Sequence, residues 1–421
     1  MLRASVADEL RASVAMHMSR LYDLQKFCRD QRDWLIAVTE SLVRLESPTT
    51  DKAAVDRCGR ELASQMTAIG GRVTRLTCAD RGDHLRAEFG VAPTGHASPR
   101  RPTLLLGHFD TVWPVGQLAQ MPLLRTGGRL HGPGVFDMKA GIAIGLLATR
   151  ALIETARCPS GGVVMLWTTD EEMGSATSRS AIEDEARRSD AVLVLEPSLP
   201  GGALKTSRKG CGGYEIVAHG VAAHAGIEPQ KGASAVQELA RQILSINALQ
   251  DLDRGVLVNV VQVSGGRRSN VIPDEARAIV DVRVPTMADA AQIDEAIRRL
   301  RAVDGRVSLA VTGGVERPPL ERSPHVARLY KQAQAVAREL GDDLAEGNTG
   351  GGSDGNFTAA LGVPTLDGLG AIGDGAHALH EHVVIDRLAD RAALVAGLIA
   401  SLGGAAEPDA GTAPASTQAA G

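Results

Sequence analysis

Apolar residues recur along this chain with two periods, and the switch between them sets out its elements. Residues 4–21 place Val6, Leu10, Val14 and Met18 one turn apart and predict an amphipathic helix. Helical patterns follow over 32–45 and 53–69, the second stopped by Gly70-Gly71. Segments 72–77 and 84–90 read as strands, and 95–102 as a polar loop. Leu104-Leu105-Leu106 then opens an uncharged run, the signature of a strand buried on both faces. A long apolar helix is expected over 139–156, and further uncharged strands over 163–167 and 191–195. Short apolar strands alternating with helices predict an α/β layer with a parallel sheet.

The pattern changes near residue 212. Strand 213–218, helix 232–246, strands 256–263 and 276–284, helix 288–302 and strand 306–312 give the order β-α-β-β-α-β, a ferredoxin-like split βαβ unit. It interrupts the first unit, which resumes after Pro318-Pro319 with helices over 324–340 and 386–402. The expected division is a helical extension (1–30), a discontinuous catalytic unit (31–210 and 317–403), an inserted unit (211–316) and a disordered tail (404–421) rich in Ala, Gly, Pro, Ser and Thr.

Polar chemistry collects where the apolar runs stop. The strand at 104 ends in His108-Phe109-Asp110; residues i and i+2 of an extended segment share a face, so both can reach one point beyond the strand. The strand at 163 ends in Asp170-Glu171-Glu172, three acids that repel unless solvated or neutralised by a cation, although a helix's first turn also favours acids. The strand at 191 ends in Glu196. Asp137, in the Gly-rich run 132–141, reads either as an N-cap or as a ligand. His377, His380 and His382 lie within six residues, and a second Gly-rich loop spans 348–355. Two histidines with several carboxylates suit a pair of divalent ions, which polarise a carbonyl and acidify a water. Arg283, on a Val-rich strand, either faces outward or meets an anionic ligand.

Composition narrows the classes. Net charge is −5 and aromatics are 3%, which gives no reason to expect nucleic acid or an anionic membrane as partner. The five cysteines are odd in number and form no CxxC pair, which fits free thiols in a reducing compartment. Residues 1–30 show no signal-peptide pattern and no run approaches a membrane span, so a cytoplasmic enzyme is expected.

The segments GHFDT, GPGVFDMKAG, TTDEEMGS, LEPS and GAHALHEH, in this order over roughly residues 30–403, resemble the two-zinc exopeptidase family. That family holds the aminoacylases, the acetylornithine and succinyl-diaminopimelate deacylases and the bacterial glutamate carboxypeptidases. GHFDTVWPVG and GNFTAALGVPTLDGLG look most like the glutamate carboxypeptidase branch. The resemblance implies an α/β/α catalytic domain with an inserted ferredoxin-like lid and dimerisation domain. It implies two divalent ions, zinc first, with cobalt or manganese as substitutes. His108, Asp137, Glu172, Glu196 and His377 would be the ligands, Asp137 bridging the ions and starting a cis peptide. His377 keeps the family's spacing to Glu381, and His380 is the alternative because it stands where the family commonly has Asp or Asn. Asp110 would orient His108, Glu171 would be the general base and acid, and His224 would reach the second subunit's site. Asn270 and Arg283, and less strongly Arg317, would grip the substrate carboxylate. The expected reaction cleaves an amide next to a free carboxylate, releasing glutamate, in a homodimer. The rival readings are an N-acyl-amino-acid deacylase and a peptide-binding protein that has kept the fold.

Overall fold

The computed structural model describes residues 21–91 and 100–403. The expected helix over 4–21 except its last residue, part of the 95–102 loop and the tail from 404 lie outside these residues. Helical residues 21–30 lead into α1 (Arg32–Arg44), followed by α2 (Lys52–Ala68), whose N-cap Asp51 accepts the Ala54 N–H. Then come β1 (Arg72–Leu76), β2 (His84–Phe89), β3 (Thr103–His108) and a short hairpin, β4 (Leu124–Thr126) with β5 (Arg129–His131). α3 (Ala140–Glu154), β6 (Val163–Thr168), α4 (Arg179–Arg187) and β7 (Ala191–Val194) complete the first half of the catalytic layer.

β8 (Leu204–Arg208) leads to the interrupting unit: β9 (Gly210–His219), α5 (Ala235–Asn247), β10 (Leu257–Gly265), β11 (Glu275–Val284), α6 (Met287–Arg298) and β12 (Ser308–Arg317). Its four strands are all antiparallel in the order β10-β11-β9-β12, the ferredoxin-like arrangement expected from the sequence. Burial alternates along β11, because one face meets the helices and the other does not. Tyr214, Ile216, Leu239, Val280, Val282 and Ile293 belong to its own apolar core. The chain then returns through α7 (Pro324–Glu339), β13 (Glu346–Thr349), α8 (Gly355–Ala360), β14 (Thr365–Leu366), β15 (Gly373–Asp374), β16 (His382–Val384) and α9 (Ile385–Leu402).

The larger sheet has the order β1-β2-β6-β3-β7-β14, with β6, β3, β7 and β14 parallel. β3, β6 and β7 are buried throughout, the physical reason their sequences carry no charge. α3 is buried from Ala140 through Thr149 and packs against α1 and α9, which explains its lack of a polar stripe. Two pairings carried no sequence signal. β13 lies parallel to β8, and β16 pairs with β5 with His382 opposite His131. Strands of two to five residues are too short for a readable alternation. The β5–β16 pairing lays the Gly132–Asp137 turn beside the segment that carries His377 and Glu381. β12 also runs beyond its expected end at 312, to Arg317.

Candidate metal and catalytic centre

Because β3, β6 and β7 are parallel, their carboxyl ends share one edge of the sheet. β3 delivers His108 there, the turn after β6 delivers Glu171 and Glu172, and the chain leaving β7 delivers Glu196. Asp137 arrives from the turn between β5 and α3. Its backbone is non-helical and α3 starts only at Ala140, so the N-cap reading does not hold. The Asp137–Met138 peptide is cis.

Asp137 lies between two histidines. His108 Nε2 is 3.2 Å from Asp137 Oδ1 and 3.5 Å from Glu196 Oε1. His377 Nε2 is 3.4 Å from Asp137 Oδ2 and 3.2 Å from Glu172 Oε2. Each oxygen of one carboxylate thus faces its own pair of one imidazole and one further carboxylate. His380 is elsewhere: its Nε2 is 3.9 Å from Asp374, and both side chains are exposed. The second nitrogen of His108 meets Asp110, but the better partner is the Asp110 backbone oxygen at 3.0 Å; the carboxylate Oδ1 is at 3.3 Å. Asp110 Oδ2 instead accepts the Thr49 hydroxyl at 2.7 Å.

The donor set suits divalent cations. Imidazole nitrogens and carboxylate oxygens are zinc-type ligands, and His108, Asp137 and Glu172 offer three such atoms within 4.8 Å of one another. Buried Asp110 Oδ1 and Glu172 Oε1 accept no hydrogen bond among the described residues, so the cluster holds more acceptor capacity than the protein itself fills. Its electrostatics show the same deficit of positive charge. Burial pushes the Glu171 carboxyl up to about 8, against the pull of Arg317. Asp137 and Glu172 lift His377 to about 10. Burial also raises Glu172, whereas Asp137 is held below the usual carboxylate range, its burial outweighed by His108 and His377.

Several supporting residues escaped the sequence reading. Glu381 accepts the Trp113 indole N–H (2.9 Å) and the backbone N–H groups of Gly134 (2.9 Å), Phe136 (2.8 Å) and Asp137 (3.1 Å). Arg208, buried, donates to Glu196 Oε2 at 3.2 Å and clamps both oxygens of Asp367 at 2.8 Å. Arg317 does not face an open carboxylate pocket: its Nη1 is 2.6 Å from Glu171 Oε1. Asp354 stands behind it, in the Gly-rich loop noted in the sequence without a role. Only position in that loop hinted at Asp354; Glu381 stood in a quoted motif without a role, Arg317 was expected in a different one, and nothing local marks Arg208.

Three expected substrate residues lie on the inserted unit; Arg283 is opposite Cys211 on β9, and Cys211 in turn is opposite Arg317 on β12. His224 is exposed, and its Nδ1 accepts the Gly226 N–H at 3.2 Å. The Ala225 N–H donates to the Asn270 oxygen at 3.0 Å, which makes His224 and Asn270 neighbours. Arg283 pairs with Asp281 through Nε (3.1 Å) and Nη2 (2.9 Å) on the face of the smaller sheet. None of the three is hydrogen-bonded to the histidine–carboxylate cluster among the described residues.

A family model described as peptidase family M20/M25/M40 matches residues 104–401. Carboxypeptidase G2 of Pseudomonas sp. (strain RS-16) is 31% identical over 411 residues, 96% of this chain and 97% of that protein. A succinyl-diaminopimelate desuccinylase of Rhodospirillum centenum is 28% identical over 398 residues, covering 89% of this chain and 98% of its own. Among solved structures, aminopeptidase PepT of Bacillus cereus superposes with a TM-score of 0.73 at 23% identity, over 88% of this chain and 98% of that one.

Proposed function

The chain belongs to peptidase family M20/M25/M40 and is a metal-dependent hydrolase of amide bonds; from that premise we propose that it is a two-zinc carboxypeptidase releasing a C-terminal acidic residue, glutamate first. The observation that carries the proposal is Asp137 between His108 and His377, with Glu171 beside them. His108, Asp137 and Glu196 would hold one ion, and His377, Asp137 and Glu172 the other. Two such ions polarise a scissile carbonyl and acidify a water. Glu171 is the proton carrier: Arg317 holds Oε1, while Oε2 accepts no hydrogen bond among the described residues and is free to take a proton and return it to the leaving amine. The glutamate preference rests on the 31% identity to carboxypeptidase G2 and on Arg283, whose planar fork suits a carboxylate.

We extend the proposal to the assembly. Residues 31–210 and 317–403 act as the catalytic unit and 211–316 as lid and dimerisation unit, a division supported by their separate apolar cores. β10 is an outer strand with Val261 and Val263 exposed, and Leu244 of α5 is exposed nearby, so a second copy would cover an apolar edge. In such a dimer His224 and Asn270 would be supplied to the other copy's site, where His224 stabilises the oxyanion and Asn270 joins Arg283 on the substrate carboxylate. Five unpaired cysteines support a reducing, cytoplasmic compartment. Among the described residues no helix is long and apolar enough to cross a membrane.

A release assay decides the substrate. Glutamate freed from peptidyl- and acyl-glutamates, with little action on acetyl- or succinyl-amino acids lacking a C-terminal acidic residue, is the expected result. The reverse preference establishes a deacylase, which the desuccinylase relatives make the second reading. Binding of such compounds by metal-loaded protein without cleavage would leave only a peptide-binding role.

A further inference from the structure

Arg317 reaches Glu171 from a seat built by two separate stretches of chain, residues 168–175 and 352–357. It is the last residue of β12, the strand that leaves the smaller sheet. Its Nη1 donates to Glu171 Oε1 at 2.6 Å and its Nη2 to Ser175 Oγ at 2.8 Å. The Ser175 hydroxyl donates in turn to Asp354 Oδ1, and the Thr168 hydroxyl donates to Asp354 Oδ2 at 3.0 Å. Asp354 Oδ1 also lies 3.7 Å from Arg317 Nη1. Beneath the guanidinium, the Phe357 ring centre is 5.0 Å from Arg317 Cζ. The loop before Asp354 passes so close that a Cβ at Gly352 would sit 2.7 Å from Arg317 Cδ. Thr168, Ser175 and Asp354 are all buried.

This arrangement does more than pair charges. A planar guanidinium held through both terminal nitrogens and resting on a ring has one orientation left. The Ser175 proton is committed to Asp354, so its lone pairs face Arg317, and each bond polarises the next. Glu171 is then held by one named oxygen and leaves the other unbonded.

We propose that Ser175 and Asp354 are positioning residues for the hydrolytic reaction: they seat Arg317, and Arg317 turns the Glu171 carboxylate so that Oε1 is bound and Oε2 exchanges the proton. The proposal rests on the reading of Glu171 as the base. Because Arg317 ends β12, the seat also ties the base to the strand through which the inserted unit rejoins the catalytic layer.

The test is a double-mutant cycle in the metal-loaded enzyme. Ser175→Ala and Asp354→Asn should each lower kcat roughly tenfold, the scale of a lost charge-assisted hydrogen bond, and move KM by no more than about twofold. Metal content should stay at the wild-type value. In an Arg317→Met background Ser175→Ala should cost nothing further, because the seat has nothing left to hold. Ser175→Gly, which suits the positive φ of 61° at this position, should reproduce the Ala result and separates loss of the hydroxyl from backbone strain. A crystal structure of metal-free Ser175→Ala should show the guanidinium displaced from Glu171 Oε1. Full kcat in both Ser175 variants, losses that multiply with Arg317→Met, or an unmoved guanidinium would each overturn the seat. A Glu171→Gln control separates the two ideas. Turnover in that variant removes the base and the seat together; an inactive Glu171→Gln beside fully active Ser175 variants removes the seat alone.

Discussion

Glu381 aims Asp137: its Oε1 accepts the Asp137 backbone N–H at 3.1 Å, while Oε2 holds Gly134 at the start of the same turn. The carboxylate between both histidines is therefore placed by an acid four residues after His377. Removing this support should loosen the turn rather than remove a ligand. Glu381→Gln is expected to lower metal affinity about 10- to 100-fold, the usual cost of losing an outer partner of a ligand. Competition with a chromophoric chelator measures it; unaltered affinity would show that the turn holds its shape unaided.

Glu171→Gln keeps the side chain's size and its place beside Arg317 but removes the proposed proton acceptor. Turnover should fall by about 10²- to 10⁴-fold, the usual contribution of a general base. Metal content per chain should match the wild type. Normal turnover, or loss of metal in parallel with activity, would take the proton-carrying role from Glu171.

Metal binding should release protons. Asp137 and Glu172 lift His377 to about 10 from its ordinary 6.5, so chelated protein carries that proton at neutral pH. A cation must displace it. The sign for stability follows from linkage. A group with a raised folded pKa stabilises the metal-free fold fully below 6.5, and that contribution is lost as pH rises through about 10. Chelated protein should therefore lose Tm between these limits more steeply than a His377→Asn variant. Calorimetric zinc titrations near pH 7 should show heats that depend on the buffer's ionisation enthalpy; buffer-independent heats would contradict a protonated His377.

Shared sites predict complementation. His224→Ala should lower turnover and leave metal bound, because His224 touches none of the proposed ligands in its own chain. Mixed dimers of His224→Ala with Glu171→Gln contain one site with both residues intact and should regain activity. Verified mixed dimers that stay inactive would mean that each site is built within one chain.

Gly141 sets how closely α3 approaches the end of β7. A Cβ there would lie 2.0 Å from the Leu195 carbonyl oxygen, a backbone atom that cannot swing aside. Gly141→Ala should cost about 1–3 kcal/mol, the range for overpacking a tight contact, and should weaken metal binding because Leu195 precedes Glu196. Urea unfolding of metal-free protein measures the first effect; wild-type stability would mean that the helix can shift freely.

Much of the architecture was legible in the chain because burial writes itself into local pattern. β3, β6 and β7 carry no charge because they are covered on both faces, and α3 lacks a polar stripe for the same reason. Polar residues where those runs stop, His108, Glu172 and Glu196, mark a sheet edge that can gather ligands. The βαββαβ order was equally readable, since each of its elements is long enough to show its period. What no local pattern contains is which distant group meets which. Glu381 reaching the Asp137 turn, Arg208 held between Glu196 and Asp367, and Arg317 resting on Glu171 are ion pairs and hydrogen bonds between residues 12 to 244 positions apart. Their partners are chosen by how sheets and turns pack, and a lone charge at a strand end looks the same whether it faces water or a buried acid. His224, Asn270 and Arg283 show the converse. Their types suited substrate binding, yet within one chain none of the three is hydrogen-bonded to the cluster among the described residues. The sequence determined the layers and the kinds of ligand, whereas packing alone decided the orientation of each carboxylate.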